Sequence, residues 1–537
     1  MEKILEYKVD VLILGGGPAG TWAALKAAEQ GSSVILADKG YCGTSGATAP
    51  SGTGVWIGDK DSYQQQVIEN HRVKLGGFLA EEIWKQRVLE QAKRNMHFLG
   101  QSGFPNLLNE NNELVSGGLP GPQYMKHMRK LIKKAGVTIL DHAPALELLG
   151  DSGNVEGARG IFLQKEQTYW RVEASAVVIA TGGCAFLSNA LGCNVNTGDG
   201  YLLAVEAGAD LSGMEFSSMY GISAEFSSVT KNAFFRYGRY YYEDGSIVQE
   251  TEMLSEPFIA ANVYQAQKML AEKLQKGKIY CRLDHAPPEI WDELREIQPN
   301  FFLPFDKKGI NPFLEKFPVI MRLEGTVRGT GGINIINEYC ETKVKGLFAA
   351  GDAATRELLC GAFSGGGSHN AAWAMTSGYW AGIGASKYAS EIKIKIPKHN
   401  LNGLSAIPFV ESNDENTVPL EGFIQGVQNE VFPLEGNFFR TGAGLKSSLN
   451  KLEELWQKLK QRGLIRGKQD SYEREVAAMI ATARWMYKSA LERKESRGLH
   501  IRRDFPETDP AQQYRLIISG IEGNEIRKVP VRNEVHY

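Results

Sequence analysis

The sequence predicts an α/β fold with a Rossmann-like, dinucleotide-binding domain, and the prediction depends on two neighbouring observations. The apolar run Val9–Leu14 leads directly into the glycine-rich stretch GGGPAG at 15–20, and a helical pattern follows over 21–30. The next apolar run, 33–37, ends in Asp38. Short apolar runs bounded by glycine are typical of parallel strands buried on both faces. The order strand, glycine turn, helix, strand, acid indicates the first half of a nucleotide-binding unit.

Each glycine of this turn has a separate physical task. Gly15 allows the tight turn, Gly17 allows a pyrophosphate to approach the backbone, and Gly20 allows the helix to pack on the strand. The helix N-terminus then offers free N–H groups and a positive dipole end to the phosphates. Asp38 can accept hydrogen bonds from a ribose hydroxyl. The alternative is a glycine-rich turn that binds nothing.

Composition excludes several classes of protein. The chain has 537 residues, a net charge of −2, 43% hydrophobic and 23% charged residues. These values are typical of an ordinary soluble globular protein and give no reason to expect a nucleic-acid partner. The six cysteines form no CxxC pair. We therefore predict free buried thiols, and neither a disulfide framework nor a metal or iron–sulfur site within this chain.

The N-terminal stretch MEKILEYKVD lacks the layout of a signal peptide, and no long uninterrupted apolar segment predicts a transmembrane helix. These features predict a cytoplasmic protein.

Further glycine-rich segments extend the predicted nucleotide site. The loop 39–55 is small and hydroxylated, which suits backbone and hydroxyl contacts with a large ligand, although a plain surface loop is the alternative. Apolar strands end in glycine at 177–183 and at 344–354, and NTGDG at 196–200 precedes a helix. The stretch GAFSGGGSHN at 361–370 opens another helix, whose N-terminus would point at a ligand.

The remaining periodicity predicts further elements and an inserted domain. Helices are expected over 61–99, 119–135, 201–207, 371–388, 445–464 and 472–494, strands over 137–149, 155–164 and 168–180, a polar linker over 393–419, and strand character over 510–537. Between 212 and 320 the amino-acid composition and its pattern change, which indicates an inserted domain. Its aromatic and basic cluster at 234–242 could stack on nucleic acid, but the near-neutral charge favours a lid.

The motifs taken together resemble one superfamily, the FAD flavoprotein subunits of succinate dehydrogenase, fumarate reductase, aspartate oxidase and adenylylsulfate reductase. The matching stretches are GGGPAG at 15–20, TSGATAPSG at 44–52, IATGG at 179–183, NTGDG at 196–200, GTGGI at 329–333, GLFAAGDAA at 346–354, FFRTGAGLKSSLNKLEELW at 438–456 and ESRGLHIRRDFP at 495–506. They cover most of the chain. Their specificity is high for FAD and low for substrate.

The resemblance implies a Rossmann-like FAD-binding domain split by an α+β capping domain and followed by a C-terminal helical domain. The implied boundaries are 1–214 and 322–395 for the FAD-binding domain, 215–321 for the capping domain, 396–436 for a linker, 437–497 for the helical domain and 498–537 for a C-terminal segment.

The resemblance also implies which residues hold FAD. They are Gly15, Gly17, Gly20, Asp38, Lys39, Ser45, Thr48, Gly52, Thr181, Gly182, Asp199, Gly351, Asp352 and Ser368. In the complex II enzymes, a histidine after the loop serine bonds covalently to the flavin. Here Ser45 is followed by Gly46, so we predict non-covalent FAD.

Departures from the family pattern argue against a C4-dicarboxylate substrate. The HPT motif gives way to Ser218-Met219-Tyr220, and HYxxGG gives way to 327–332. The family's GANRLGGNS becomes GAFSGGGSH, with Ser364 in place of a substrate arginine, and 255–264 has no counterpart of the arginine-bearing RDVVSR segment. Two carboxylates need cationic donors, and protonation at carbon needs an acid.

Two side chains are the leading candidates for catalysis. Arg328 could bind an anionic substrate or stabilise reduced flavin, with a structural ion pair as the alternative. His369, at a predicted helix start, could exchange a proton near neutral pH, with a backbone-bonded histidine as the alternative. His500 and Arg502 match the family's HxR, but an ion pair between domains is the preferred interpretation.

The sequence therefore predicts an FAD-dependent oxidoreductase acting on a small, anionic substrate that is not a C4-dicarboxylate. Short motifs such as SGATA and FSGGGSH resemble those of the adenylylsulfate reductase branch more closely. The flavoprotein subunits of that branch work with a small iron–sulfur partner. An iron–sulfur or ferredoxin-like partner is accordingly expected, and an oligomer is possible. The alternatives are a stand-alone, aspartate-oxidase-like enzyme that uses oxygen or a quinone, and a redox scaffold without turnover.

Overall fold

The computed structural model describes residues 3–58, 72–151, 153–230, 232–248, 260–392, 401–410, 419–467 and 469–531. The chain begins with the elements of the nucleotide-binding unit. These are β1 (Lys3–Leu14), α1 (Pro18–Glu29), β2 (Val34–Ala37), β3 (Gly52–Gly54), α2 (Glu82–Gln101), β4 (Gly118–Pro120), α3 (Gly121–Lys134), β5 (Thr138–Leu140), β6 (Ala145–Asp151), β7 (Asn154–Ile161), β8 (Thr168–Ile179), α4 (Asp199–Glu206) and β9 (Asp210–Ser212).

An antiparallel sheet and three helices follow as a separate layer. They are β10 (Tyr220–Ala224), β11 (Arg239–Tyr242), α5 (Ala260–Leu274), β12 (Ile279–Arg282), α6 (Trp291–Ile297), α7 (Pro299–Lys308) and β13 (Phe317–Leu323). The sheet order is β10-β13-β12-β11, and its strands pair antiparallel. This layer, which we call the cap, has its own aromatic core around Phe301, Phe305 and Phe317.

The chain then returns to the main sheet and ends in helices. The elements are β14 (Gly332–Ile333), β15 (Leu347–Ala349), α8 (Glu357–Cys360), α9 (Ser368–Ile392), β16 (Asn402–Gly403), β17 (Phe409–Val410), α10 (Leu420–Val431), β18 (Phe439–Arg440), α11 (Gly442–Arg462), β19 (Leu464–Ile465), α12 (Asp470–Glu492), β20 (Ile501–Arg502), β21 (Tyr514–Ser519) and β22 (Glu525–Pro530).

The main sheet brings the glycine-ended strands side by side. Its order is β16-β6-β7-β8-β1-β2-β5, and β15 pairs with the last part of β8. The pairs β15–β8, β8–β1, β1–β2 and β2–β5 are parallel. The carboxyl ends of these strands therefore lie at one edge, where ligands bind in open α/β sheets.

Helices α1 and α9 pack closely because two glycines remove the side chains between them. A Cβ atom at Gly378 would collide with the Ala19 backbone, and one at Gly382 would collide with the Ala23 backbone. This contact seats the long helix α9 on the nucleotide-binding unit.

The structure differs from the predicted elements in three places. The expected helix 61–99 is interrupted by a turn at 76–81 before α2, and its first part, 61–71, lies outside the described residues. The expected strand 137–149 is split into β5 and β6. The predicted linker 396–436 is corrected, because α10 within it is a packed helix.

The linker prediction failed for a physical reason. Two glycines, Gly422 and Gly426, lower the helix propensity of this stretch, so its amphipathic pattern was not recognised. In the structure, Phe423 and Val427 are buried, and tertiary packing against α11 and α12 compensates for the weak propensity. Two parts of the predicted linker, 393–400 and 411–418, lie outside the described residues, and β16 and β17 lie between them. Residues 532–537 of the strand-like C-terminus are also outside the described residues.

None of the six cysteines forms a disulfide; five are buried and Cys360 is half-buried. Among the described residues, no cluster of histidine, cysteine or acidic side chains has the arrangement of a metal site. None of the described helices combines the length and hydropathy that crossing a membrane would require.

Candidate coenzyme and substrate site

A cavity of about 890 Å³ lies at the carboxyl edge of the main sheet. Its lining begins with the ends of β1 and β2, at Leu14 and Ala37, and with Ala180 just after β8. It continues over the loop 39–54 and reaches the cap. The same cavity is therefore open to the predicted dinucleotide turn and to the inserted layer.

The glycine turn has the geometry that its sequence predicts. Gly15 has φ +109°, and a Cβ there would collide with the Ala180 carbonyl. A Cβ at Gly20 would collide with the Gly15 carbonyl, so this glycine lets α1 sit against the turn. A Cβ at Gly17 would meet nothing within 4 Å. Gly17 lines the cavity, and the open space beside it is a cradle for a ligand rather than for a side chain.

Asp38 joins the turn to the following loop. Its carboxylate accepts hydrogen bonds from the Gly16 amide, from the Gly40 amide at 2.7 Å and from the Ser45 hydroxyl at 2.8 Å. Burial raises the pKa of the Asp38 carboxyl above its ordinary value, although these hydrogen bonds lower it. The carboxylate fixes the shape of the turn and also lines the cavity.

Lys39 is held by two acids at the cavity wall. Its ammonium lies 2.7 Å from Asp199 and 3.1 Å from Glu475. Burial alone would lower the pKa of Lys39, but the two carboxylates outweigh burial and raise the pKa above its ordinary value. The pairing ties the N-terminal loop to α4 and α12.

Several buried polar atoms of cavity-lining residues have no hydrogen-bond partner among the described residues. Two of them are the hydroxyl of Thr181 and the side-chain oxygen of Asn196. Buried polar atoms in native structures are nearly always satisfied, so these two indicate a polar ligand. Together with the cradle at Gly17, they fit a dinucleotide coenzyme.

Arg356 organises the glycine stretch at 326–329. Its guanidinium is 1% exposed, pairs with Asp352 and donates to the carbonyls of Thr326 and Val327 at 3.0 and 3.1 Å. These contacts hold Arg328 at the cavity wall. Arg328 itself pairs with the fully buried Glu324 at 2.9 Å. Arg328 thus combines the two predicted alternatives, an ion pair and a cavity-facing cation.

His369 does not belong to the cavity lining. It is 3% exposed, and its ring stacks on Trp56 with centroids 4.2 Å apart. The ring is therefore packed outside the cavity, and both the role in proton exchange and the backbone-bonded alternative remain predictions.

His500 is held inside the C-terminal domain. Its Nδ1 accepts from Arg440 at 2.7 Å and its Nε2 donates to the Arg493 carbonyl at 3.0 Å, which fixes a neutral tautomer. Burial, reinforced by the nearby arginines, lowers the pKa of His500 well below its ordinary value. Neither His500 nor Arg502 lines the cavity. The structure does not bear out the expected ion pair between domains, because His500 is neutral and Arg502 pairs with Asp504 of its own segment at 2.8 Å.

Most of the predicted site residues converge on this cavity. Apart from Gly20, whose task is packing, every residue predicted to hold FAD lines it, and so does Arg328. The segments that carry them are far apart in sequence, and the parallel strand ends bring them together.

Sequence reasoning predicted a lid from the aromatic cluster at 234–242, but it did not identify most residues of the cap wall and it missed one cation. The cap contributes Met219, Ile222, Phe234, Phe235 and Tyr240 to the lining, and Thr230, Asn232 and Gln267 add polar groups. Arg72 also lines the cavity, although it carries no motif and fell within a predicted helix. The aromatic cluster at 234–242 was the only signal for this wall.

The fold and the cavity define a dinucleotide-binding α/β protein with a capping layer, and comparison with known sequences identifies the family. Residues 10–220 match the family described as FAD binding domain, and residues 434–534 match the family described as fumarate reductase flavoprotein C-term. The chain belongs to the fumarate reductase and succinate dehydrogenase flavoprotein superfamily, and it is an FAD-dependent oxidoreductase.

Full-length relatives have diverse names. An uncharacterised FAD-dependent oxidoreductase of Methanocaldococcus jannaschii is 28% identical, with 96% of both chains covered. One fumarate reductase (CoM/CoB) subunit, from Methanothermobacter marburgensis, is 24% identical, over 96% of this chain and 97% of the relative. L-aspartate oxidase of Vibrio cholerae is 23% identical, over 94% and 96%.

Solved structures share the fold along the whole chain. A variant of E. coli quinol fumarate reductase superposes with a TM-score of 0.80 at 21% identity, covering 99% of this chain and 98% of that one. Adenylylsulfate reductase from Archaeoglobus fulgidus gives a TM-score of 0.76 at 19% identity, covering 100% and 98%. The predicted fold class is confirmed.

Proposed function

We propose that the chain is the catalytic flavoprotein of an electron-transfer complex and acts on a small, anionic substrate that is not a C4-dicarboxylate. The observation that carries the proposal is the continuous cavity that joins the dinucleotide turn to the cap wall. When bound, FAD supplies exchange of a hydride or electron pair with the substrate.

The chain's own residues bind the coenzyme, orient the substrate and shield it from water. The glycine turn and the N-terminus of α9, which begins at Ser368, offer backbone N–H groups to phosphate and flavin oxygens. Arg328, held by Glu324, offers an oriented cation at the wall. The aromatic side chains of the cap exclude water from the substrate, which strengthens these electrostatic contacts.

The residues that replace the dicarboxylate ligands support a different substrate. Ser364 lines the cavity where relatives carry an arginine, and Met219 lines it where relatives carry the HPT motif. Neither side chain can pair with a second carboxylate. The segment 255–264, which lacks the family's second arginine, lies partly outside the described residues.

A rapid-mixing experiment tests the exclusion of dicarboxylates. Photoreduced protein with bound flavin is mixed with fumarate under anaerobic conditions, and flavin absorbance is followed. We expect no faster reoxidation than in buffer alone. Reoxidation that saturates with fumarate would refute the proposed substrate class.

An external electron partner is proposed because the described residues include no metal-binding cluster, and adenylylsulfate reductase shares the fold. Affinity purification from the native host, followed by absorption spectroscopy and peptide identification, tests the partner. Co-elution of a small polypeptide with broad iron–sulfur absorbance is expected. Flavin bands without any partner would contradict the relay.

The likeness to L-aspartate oxidase over nearly the full chain favours one alternative, a stand-alone enzyme that uses oxygen or a quinone. Stoichiometric peroxide from the isolated chain during substrate turnover would favour that alternative over the relay.

A further inference from the structure

We propose that Arg72 is the principal anion-binding residue of the substrate site, and that the substrate carries one anionic group on an apolar body. The inference rests on the proposed function and adds the substrate class and a residue that determines it.

Most N–H donors of the Arg72 guanidinium have no acceptor among the described residues. Its one hydrogen bond within the described part of the chain runs from Nη1 to the Gly365 carbonyl at 3.4 Å, a long contact. Its Nε is buried without a partner there. Among the described residues, no carboxylate lies within ion-pair distance of it. A guanidinium has five N–H donors in a planar fork, so most of these donors remain available to a ligand.

The position of Arg72 compensates for a loss in the neighbouring loop. Gly365 directly follows Ser364, which stands where dicarboxylate-binding relatives have an arginine. A Cβ at Gly366 would lie 3.7 Å from the Arg72 Nη2 atom, so the guanidinium lies along this glycine loop. A cation from a distant part of the sequence therefore lies beside the position where the family's cation is missing.

The arginines that line the cavity leave one positive charge available to an anionic group of the substrate. Of the described residues, three arginines line the cavity, namely Arg72, Arg236 and Arg328. Glu324 pairs with Arg328, and Arg236 is exposed and bonded to the Tyr237 hydroxyl at 2.7 Å. Arg72 is the inward cation that no described acid neutralises. A second carboxylate on the substrate would have no equivalent partner.

The cap wall supplies the complementary apolar surface. Phe234 and Tyr240 are 4% and 2% exposed, and Met219 and Ile222 line the same cavity. Thr230 is occupied, since its hydroxyl donates to Glu324 at 2.7 Å. An aromatic or aliphatic substrate body would therefore pack on this wall while its anionic group meets Arg72.

The test measures binding of small probes to the flavin-containing protein by perturbation of the flavin spectrum. The probes are 3-phenylpropionate, its neutral amide, and succinate. The variants are Arg72→Gln, Arg72→Lys and the control Arg94→Gln, which removes an exposed arginine outside the cavity. We expect 3-phenylpropionate to bind best. Arg72→Gln should weaken it about tenfold or more, Arg72→Lys less, and Arg94→Gln not at all.

Several results would overturn the inference. They are equal binding to Arg72→Gln and Arg94→Gln, tighter binding of succinate than of 3-phenylpropionate, or no spectral response to any probe. Flavin content and reducibility are measured first on each protein. A protein without flavin would refute the proposed function itself, whereas a reducible flavin that ignores anions would refute only the role of Arg72.

Discussion

Gly17 and Gly20 belong to one turn, yet a side chain at each would have a different effect. At Gly17 the Cβ position opens into the cavity, whereas at Gly20 it collides with the Gly15 carbonyl. One glycine leaves room for a ligand, and the other allows the fold itself. The sequence motif predicts these two tasks, and the atoms around each Cβ position agree with the prediction.

We expect Gly17→Val to lose flavin while the flavin-free protein keeps its melting temperature. Gly20→Val should lower the melting temperature of the flavin-free protein, because overpacking typically costs about 1–3 kcal/mol. The ratio of flavin to protein and thermal unfolding measure the two effects. Full flavin occupancy in Gly17→Val would contradict the assignment of the cradle.

We expect Glu357, a buried acid, to make the free energy of unfolding depend on pH. Burial, reinforced by the nearby Glu215 carboxylate, raises the pKa of Glu357 from 4.5 to about 7. Because the folded state binds this proton more tightly than the unfolded state, protonation of Glu357 stabilises the fold. This contribution is fully present below pH 4.5 and is lost as pH rises through 7.

Replacing Glu357 by glutamine should remove this loss. Relative to the wild type, Glu357→Gln should gain up to about 3 kcal/mol between pH 5 and pH 8. Melting temperatures at both pH values measure the gain, with Glu525→Gln, 69% exposed, as the control. A melting-temperature difference that does not change with pH would contradict the raised pKa.

Strands and helices were predicted well wherever the spacing of apolar residues and the positions of glycines indicated the same boundaries. The strands β1, β2, β8 and β15 and the helices α3, α11 and α12 lie where they were expected. The failures have local causes. Gly76 and Gly77 interrupt the predicted helix 61–99, and tertiary packing makes a helix of the glycine-containing α10.

The cap has its own aromatic core, so a substitution in that core should unfold the cap while the main sheet stays folded. Phe305 is fully buried and its ring contacts Phe226, Phe301 and Phe317. Phe305→Ala should destabilise the cap by about 3–5 kcal/mol. Limited proteolysis should then cut within 220–323 while bound flavin stays, and Leu303→Ala, at a side chain 53% exposed, serves as the control. Loss of flavin at the same rate as cap cleavage would contradict this independence.

At the scale of the molecule, sequence motifs predicted the coenzyme side of the cavity better than the substrate side. Coenzyme contacts come from glycine turns and strand ends, whose local patterns are visible in sequence. The substrate side depends on which cap residues and which distant arginine meet in space. The aromatic cluster around Phe234 was predicted as part of a lid, whereas Arg72 became a candidate only when the fold brought it to the cavity.

We expect this cavity to hold FAD without a covalent bond. Of the described residues that line it, none is a histidine or cysteine, and Gly46 follows the loop serine. The direct measurement is acid precipitation of the purified protein, with flavin identified and counted in supernatant and pellet. We predict about one FAD per chain in the supernatant. Flavin that stays with the pelleted polypeptide would contradict non-covalent binding, and protein that never held flavin would contradict FAD binding itself.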